Sequence, residues 1–137
     1  MIFVDTGAFL GRYLPDDQHH GAALAGWAQL AEEEWPICTS NLVLSETITL
    51  PARRTDYRFA AERARVIHAS SALRILRSTL EEERAAIDWL EKFADQKVSF
   101  TDAVSFALMR RHRIARAFTF DRHFELAGFK SLKCSEA

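Results

Sequence analysis

The chain reads as an α/β protein: a three-layer α/β/α sandwich around a central parallel sheet of four to five strands. Three observations predict this. Short apolar runs alternate with longer segments of helical periodicity. The runs are largely apolar instead of strictly alternating, as strands covered on both faces are. Acidic residues stand directly after two of the runs, at Asp5 and Asp121, and a third, Asp102, opens a helical segment. In an open parallel sheet the carboxyl ends of all strands share one edge, and ligands bind there.

Taken in order, Ile2–Val4 reads as a buried strand and Gly7–Leu14 as a helix stopped by Pro15-Asp16-Asp17. His20–Glu33 reads as an amphipathic helix with Ala23, Leu24, Trp27 and Leu30 on one face, ended by Pro36. Ile37–Thr39 is the second strand. Ser40 or Asn41 caps the next helix, which carries Leu42, Val43, Glu46 and Leu50 and is broken by Pro51 near its end. Tyr57–His68 is helical and Leu73–Leu76 a third strand. Glu81–Phe93 and Thr101–Arg111 are helices, and Ala117–Phe120 is a fourth strand. Phe124–Ala127 is a short helix stopped by Gly128, with Ser131–Lys133 as an edge strand.

A length of 137 residues suits a single domain over 1–137, with no repeat or linker to divide it. The hydrophobic share of 48% and charged share of 27% are those of a globular protein. No apolar run approaches the ~20 residues that span a bilayer. The start, Met1 to Asp5, is too short and too soon acidic for a signal peptide. With only Cys38 and Cys134, a disulfide framework is not expected, and a cytoplasmic location is the expectation. Net charge is −1, but Pro51–Arg77 holds seven arginines against Asp56 and Glu62, leaving the remainder near −6. An anionic partner is electrostatically acceptable at the arginine-rich segment, which otherwise reads as a solvated helix face.

Asp5, Glu46, Asp102 and Asp121 carry the chemistry. Capping explains each Asp separately, since Asp favours helix starts and Ser99-Phe100-Thr101-Asp102 matches a capping box. Glu46 is different: its helical neighbours Leu42, Val43, Thr49 and Leu50 turn it toward the core side, and no Lys or Arg lies within one turn. Carboxylates brought together without cations repel, and a hard divalent ion with oxygen ligands relieves them. Such an ion can hold a phosphate and activate a water. The hydroxyls of Thr6 and Thr119 flank the acids and can orient them. His19-His20, beside Asp16-Asp17, reads as a solvated helix start, and His68, His112 and His123 form no nucleophile–base pair. Arg110, Arg111, Arg113 and Arg116 suit a helix end.

Val4-Asp5-Thr6-Gly7-Ala8-Phe9-Leu10 resembles the opening of PIN-domain ribonucleases. Thr39 to Thr47, Ser99 to Met109, and Ala117 to Phe124 with Ala127-Gly128-Phe129 resemble their later motifs, in order and across nearly the whole chain. The chain is most similar to the small VapC-type toxins of toxin–antitoxin pairs. That resemblance implies a PIN-like sandwich and an endoribonuclease dependent on Mg²⁺ or Mn²⁺. Asp5, Glu46, Asp102 and Asp121 would be its catalytic and metal-binding quartet. It also implies an RNA substrate, a cognate antitoxin and a homodimer, with no membrane role. Arg53, Arg54 and Arg58 are candidate RNA contacts.

Three other readings compete. A phosphoacceptor receiver-like domain needs adjacent acids after the first strand and an Asp after the third, where Thr6 and Arg77 stand. A haloacid-dehalogenase-type phosphatase needs an acid at Gly7. A degenerate PIN-like module that only binds a partner is the remaining alternative, against which the intact quartet stands.

Overall fold

The structure, a computed structural model, describes residues 1–132. Its elements run β1 (Ile2–Val4), α1 (Thr6–Tyr13), α2 (His20–Glu32), β2 (Ile37–Ser40), α3 (Asn41–Arg54), α4 (Tyr57–Ala69), β3 (Leu73–Leu76), α5 (Leu80–Lys92), α6 (Phe100–Arg111), β4 (Arg116–Phe118), α7 (His123–Leu126) and β5 (Lys130–Ser131). The five strands form one sheet in the order β3-β2-β1-β4-β5, and every pairing is parallel.

β1 is the central strand, and its three residues are fully buried. Phe3 pairs with Ala117 and Val4 with Phe118. Phe3 and Phe118 are therefore offset by one position and face opposite sides of the sheet. On one side Phe118 meets Trp27 of α2 edge-on at 5.6 Å, and Trp27 meets Phe9 of α1 at 5.4 Å. On the other side Phe3 meets Phe124 of α7 at 6.5 Å, and Phe124 meets Phe106 of α6 at 5.0 Å. The two aromatic stacks are the two halves of a sandwich core. Gly11 lets α1 and α2 approach closely: a Cβ there would fall 2.7 Å from that of Ala23.

Strand order reverses beside β1. The chain runs outward from β1 through β2 to β3, then returns to build β4 and β5 on the opposite flank. The crevice at the carboxyl ends of β1 and β4 is thus a topological switch point. The backbone N–H of Asp5 donates to the carbonyl of Phe118 at 3.0 Å, carrying the β1–β4 pairing to the mouth of that crevice.

Three boundaries differ from the sequence reading. Pro51 does not break α3, which continues to Arg54. Proline deletes one backbone hydrogen bond, yet its fixed φ is helical, so one further turn survives. Thr55 ends the helix, its N–H and hydroxyl both donating to the Pro51 carbonyl at 2.8 and 2.7 Å. β4 stops at Phe118 because Thr119 and Phe120 leave the ladder to shape the crevice. β5 lies at Lys130–Ser131; the expected end at Lys133 and the expected free Cys134 lie outside the described residues, while Cys38 is a buried free thiol.

Candidate active site

An open cleft of about 640 Å³ lies over the switch point, lined by Asp5, Thr6, Glu46, Asp102, Phe120 and Asp121, with Lys97, Ser99, Arg122 and His123 at its sides. The four carboxylates come from four segments: the end of β1, the second turn of α3, the first turn of α6 and the loop after β4. Among the described residues, no Lys or Arg forms a salt bridge with any of them.

Each acid is placed by a specific local cause. Asp5 occupies the N-cap position of α1, yet its side chain makes no capping bond. Its Oδ2 instead accepts the Thr119 hydroxyl at 2.8 Å, tying β1 to the loop after β4. The same Thr119 oxygen accepts the Asp121 N–H at 3.0 Å. Asp121 Oδ1 accepts the His123 N–H at 2.9 Å, which closes the turn leading into α7. Ser99 caps α6 by accepting the Asp102 N–H at 3.1 Å, which leaves the Asp102 carboxyl on the cleft wall. Glu46 is half-buried, at the cleft rim instead of inside the core, and its Oε1 accepts the Thr6 hydroxyl at 2.8 Å. Thr6 and Thr119 therefore each hold one carboxylate.

The electrostatics are those of uncompensated negative charge. Burial, helped by the charges of Asp121 and Glu46, pushes the Asp5 carboxyl up to about 6 against its bond from Thr119. Burial also raises Asp102 to about 8, with the charges of Asp5 and Asp121 and a hydrogen bond shared with the Asp121 carboxyl adding to it. Acids so perturbed by burial and by one another at a cleft are candidates for a functional site. The donor set fits a divalent cation. Asp102, Asp121 and His123 offer ligand atoms that all lie within 4.8 Å of one another. His123 Nδ1 is moreover buried with no hydrogen-bond partner, although 3.0 Å from Asp121 Oδ1. Proximity without hydrogen-bond geometry leaves that nitrogen unsatisfied.

Other candidate residues lie elsewhere. Arg53, Arg54 and Arg58 are exposed and do not line the cleft. The cations that do line it, Lys97 and Arg122, were not singled out from the sequence. Each adjoins an acidic motif, two residues before Ser99 and directly after Asp121, and that adjacency is the signal that could have found them. Lys97 also holds a left-handed backbone, with φ of 56°. His19 stacks on Phe120 at 4.4 Å and His20 contacts the Gly11 carbonyl of α1; neither lines the cleft. The arginines in the last turn of α6 and beyond it do more than cap: Arg110 donates to the Ala127 carbonyl, Arg111 pairs with Glu82, and Arg116 of β4 lies over Trp35.

A second depression, an apolar groove of about 1000 Å³, runs between α2 and α4. Trp27, Tyr13, Val66 and Trp35 line it, with Arg12 stacked over Trp27 at 4.6 Å. Trp27 donates through Nε1 to the Ala8 carbonyl at 3.0 Å and so faces both core and groove.

Known proteins share this architecture. The PIN domain family matches residues 2–130. The 23S rRNA-specific endonuclease VapC20 of Mycobacterium tuberculosis is 39% identical over 133 residues, covering 97% of this chain and 98% of its own. The crystal structure of that protein, described as a sarcin–ricin-loop-cleaving toxin, superposes with a TM-score of 0.83 at 38% identity, covering 94% of this chain and 96% of that one. FitAcB from Neisseria gonorrhoeae has the same fold, with a TM-score of 0.70 at 18% identity and 97% of each chain covered. With the family match running from β1 into β5 and taking in all four acids of the cleft, this chain belongs to the PIN domain family.

Proposed function

We propose that the chain is a metal-dependent endoribonuclease, the toxin of a toxin–antitoxin pair, which hydrolyses phosphodiester bonds in RNA. Asp5, Glu46, Asp102 and Asp121 are its catalytic, metal-holding residues. The observation that carries this reading is the convergence of four carboxylates on one cleft without a paired lysine or arginine. Leaving carboxylates buried and unpaired costs several kcal/mol, roughly, unless a cation compensates them. Glu82, a buried acid elsewhere in the fold, has its Arg111. Relatedness to a ribosomal RNA endonuclease over almost the full length supports RNA, and a structured ribosomal loop in particular, as the substrate.

The roles follow from the placements. Asp5, Asp102 and Asp121 hold a Mg²⁺ or Mn²⁺ ion, and Glu46 closes the set from the rim. When bound, a divalent cation neutralises the acids, lowers the pKa of a water and stabilises charge building on the phosphate. Thr119 fixes Asp5 and the Asp121 turn together, so the two carboxyls keep their spacing while substrate enters. Thr6 holds Glu46 in the same way. Lys97 and Arg122, on the cleft walls, meet the phosphates flanking the scissile one, where point charges steer an anionic chain. Arg53, Arg54 and Arg58 extend the contact along the RNA from the end of α3 and the start of α4.

The cognate antitoxin covers the apolar groove near Trp27 and reaches toward Glu46, silencing the site with an Arg or Lys placed among the acids. The chain works in the cytoplasm as a homodimer whose interface leaves both clefts open, a state that light scattering at micromolar concentration measures. No helix among the described residues is long and apolar enough to cross a membrane. The deciding experiment incubates the purified protein with a large-subunit ribosomal RNA fragment. Cleavage in Mg²⁺ or Mn²⁺ that disappears in EDTA is the expected result. Undiminished cleavage in the chelator contradicts the metal-dependent reading.

A further inference from the structure

We infer that His123 is a nitrogen ligand to the cation held by the acid cleft, and that it tilts the site toward Mn²⁺ over Mg²⁺. The inference rests on the metal-dependent reading above and concerns a residue outside the quartet.

The ring of His123 is 16% exposed and is folded back over the carboxylates at the start of α7. Nδ1 lies 3.0 Å from Asp121 Oδ1 and 3.9 Å from Asp102 Oδ2. Asp121 Oδ1 already accepts the His123 backbone N–H, and Nδ1 itself has no hydrogen-bond partner. A buried polar atom left unpaired costs free energy, so its position calls for a partner. With bonds of about 2.1 Å, ligand atoms on adjacent corners of an octahedron lie roughly 3 Å apart, and those on opposite corners roughly 4.2 Å. Both His123 separations fall within that span. Asp102, Asp121 and His123 are also the one trio of metal-binding side chains among the described residues whose ligand atoms lie this close. Mg²⁺ takes an oxygen shell and keeps its waters; Mn²⁺ also favours oxygen, but as a first-row transition ion it accepts an imidazole nitrogen more readily than Mg²⁺ does. A nitrogen at this place therefore favours Mn²⁺ without abolishing Mg²⁺ binding.

The test uses the full-length protein, stripped with chelator and loaded with Mn²⁺ alone. Pulsed electron paramagnetic resonance reads nitrogen coupling to the bound ion, and ¹⁵N-histidine labelling assigns it to imidazole. None of the other four histidines lines the cleft, so the wild-type spectrum decides by itself. Imidazole coupling is expected in the wild type and should be lost in His123→Asn. Calorimetric titration of the same pair should show Mn²⁺ affinity falling about tenfold in His123→Asn and Mg²⁺ affinity changing less than about threefold. Bound Mn²⁺ without imidazole coupling removes His123 from the site and leaves the quartet reading intact. Failure to bind Mn²⁺ at all overturns both. Equal losses for the two ions in His123→Asn overturn the selectivity claim.

Discussion

Glu82 and Asp5 are among the most buried carboxylates in the molecule, at 3% and 5% exposed, yet their surroundings are opposite. Glu82 sits in the first turn of α5, where the helix dipole favours it, and forms a capping box with Thr79. Arg111 of α6 closes on it from across the helix pair. Its carboxyl is held below the usual range: burial pushes it up, but the bonds from Thr79, its own backbone and Arg111 outweigh that. Asp5 also stands at a helix start, but it forgoes capping, keeps three acids for neighbours and has its carboxyl raised. The α5–α6 acid joins two helices; the acids at the switch point have no lysine or arginine paired with them, which fits a charge supplied by a bound cation.

If that contrast is right, removing charge has opposite consequences in the two places. The largest effect is on activity. Asp5→Asn, Asp102→Asn, Asp121→Asn and Glu46→Gln should each lower RNA cleavage by at least about a hundredfold with the fold intact, because the acids act as a unit. Glu82→Gln should leave turnover per folded molecule unchanged. Pairwise combinations of quartet variants should lose little beyond the single variants; a multiplicative loss would mean that the acids act separately.

Stability should move the other way. Glu82→Gln gives up the charge that Arg111 and the capping box use, and should cost about 1–2 kcal/mol, Arg111 being half-exposed and therefore partly screened. Asp102→Asn, measured in EDTA, should gain about 1 kcal/mol by relieving repulsion, since Asn keeps the size and polarity of the side chain. Urea denaturation of the two variants beside wild type reads both signs. A loss of stability in metal-free Asp102→Asn would show that its carboxyl is structural, like that of Glu82.

Much of this contrast was legible in the sequence and part was not. The strands, their parallel direction and the shared edge follow from short apolar runs alternating with helices, and Asp5, Asp102 and Asp121 follow from standing at those junctions; the order of the strands does not. Periodicity also located Glu46 on α3, but it overstated its burial, because a helix that meets the cleft at its rim buries only one side of that residue. Pro51 misled, since a local rule about hydrogen bonds cannot show that the surrounding packing tolerates one missing bond. The Glu82–Arg111 pair was invisible, because 29 residues separate its members and only the packing of α5 on α6 brings them together. Lys97 was missed for a similar reason: its left-handed backbone turns it to the cleft, and nothing in residue type announces that.

The pH dependence sharpens the same comparison. Asp5 and Asp102 have folded-state values near 6 and 8, above their ordinary 3.8, so each holds its proton more tightly in the native protein than in the unfolded chain. Their contribution favours folding fully below about pH 4, is lost as pH rises through about 6 and then about 8, and is gone above that. Metal-free protein should therefore melt progressively lower from pH 5 to pH 9 than a variant with Asp102→Asn, in which one of the two transitions is deleted. Saturating Mn²⁺ should flatten the wild-type profile, because a bound cation favours the charged carboxylates. Thermal melts at several pH values, with and without metal, measure this. Parallel profiles for wild type and variant in EDTA would mean that Asp102 ionises as an ordinary surface acid.

Arg53 and Arg54 provide the third case, charge left in solvent, and the smallest effect. Both are exposed at the end of α3, ahead of Asp56, whose side chain caps α4 at 2.7 Å. Neither contributes to the cleft wall, so replacing them should not alter the cation site or the rate with RNA at saturation. Phosphate contacts release counterions, and each one lost should make the dependence of log affinity on log salt shallower by about 0.7–0.9. Arg53→Ala/Arg54→Ala should therefore bind RNA more weakly at low salt and converge with wild type as salt rises. Lys97→Ala, at the cleft itself, should weaken binding and also slow cleavage at saturating RNA, since its proposed phosphate adjoins the scissile one. A salt series on both variants separates the two kinds of cation. An unchanged slope for the arginine pair returns it to a solvated helix end, and an unchanged saturated rate in Lys97→Ala removes that lysine from the reacting part of the cleft.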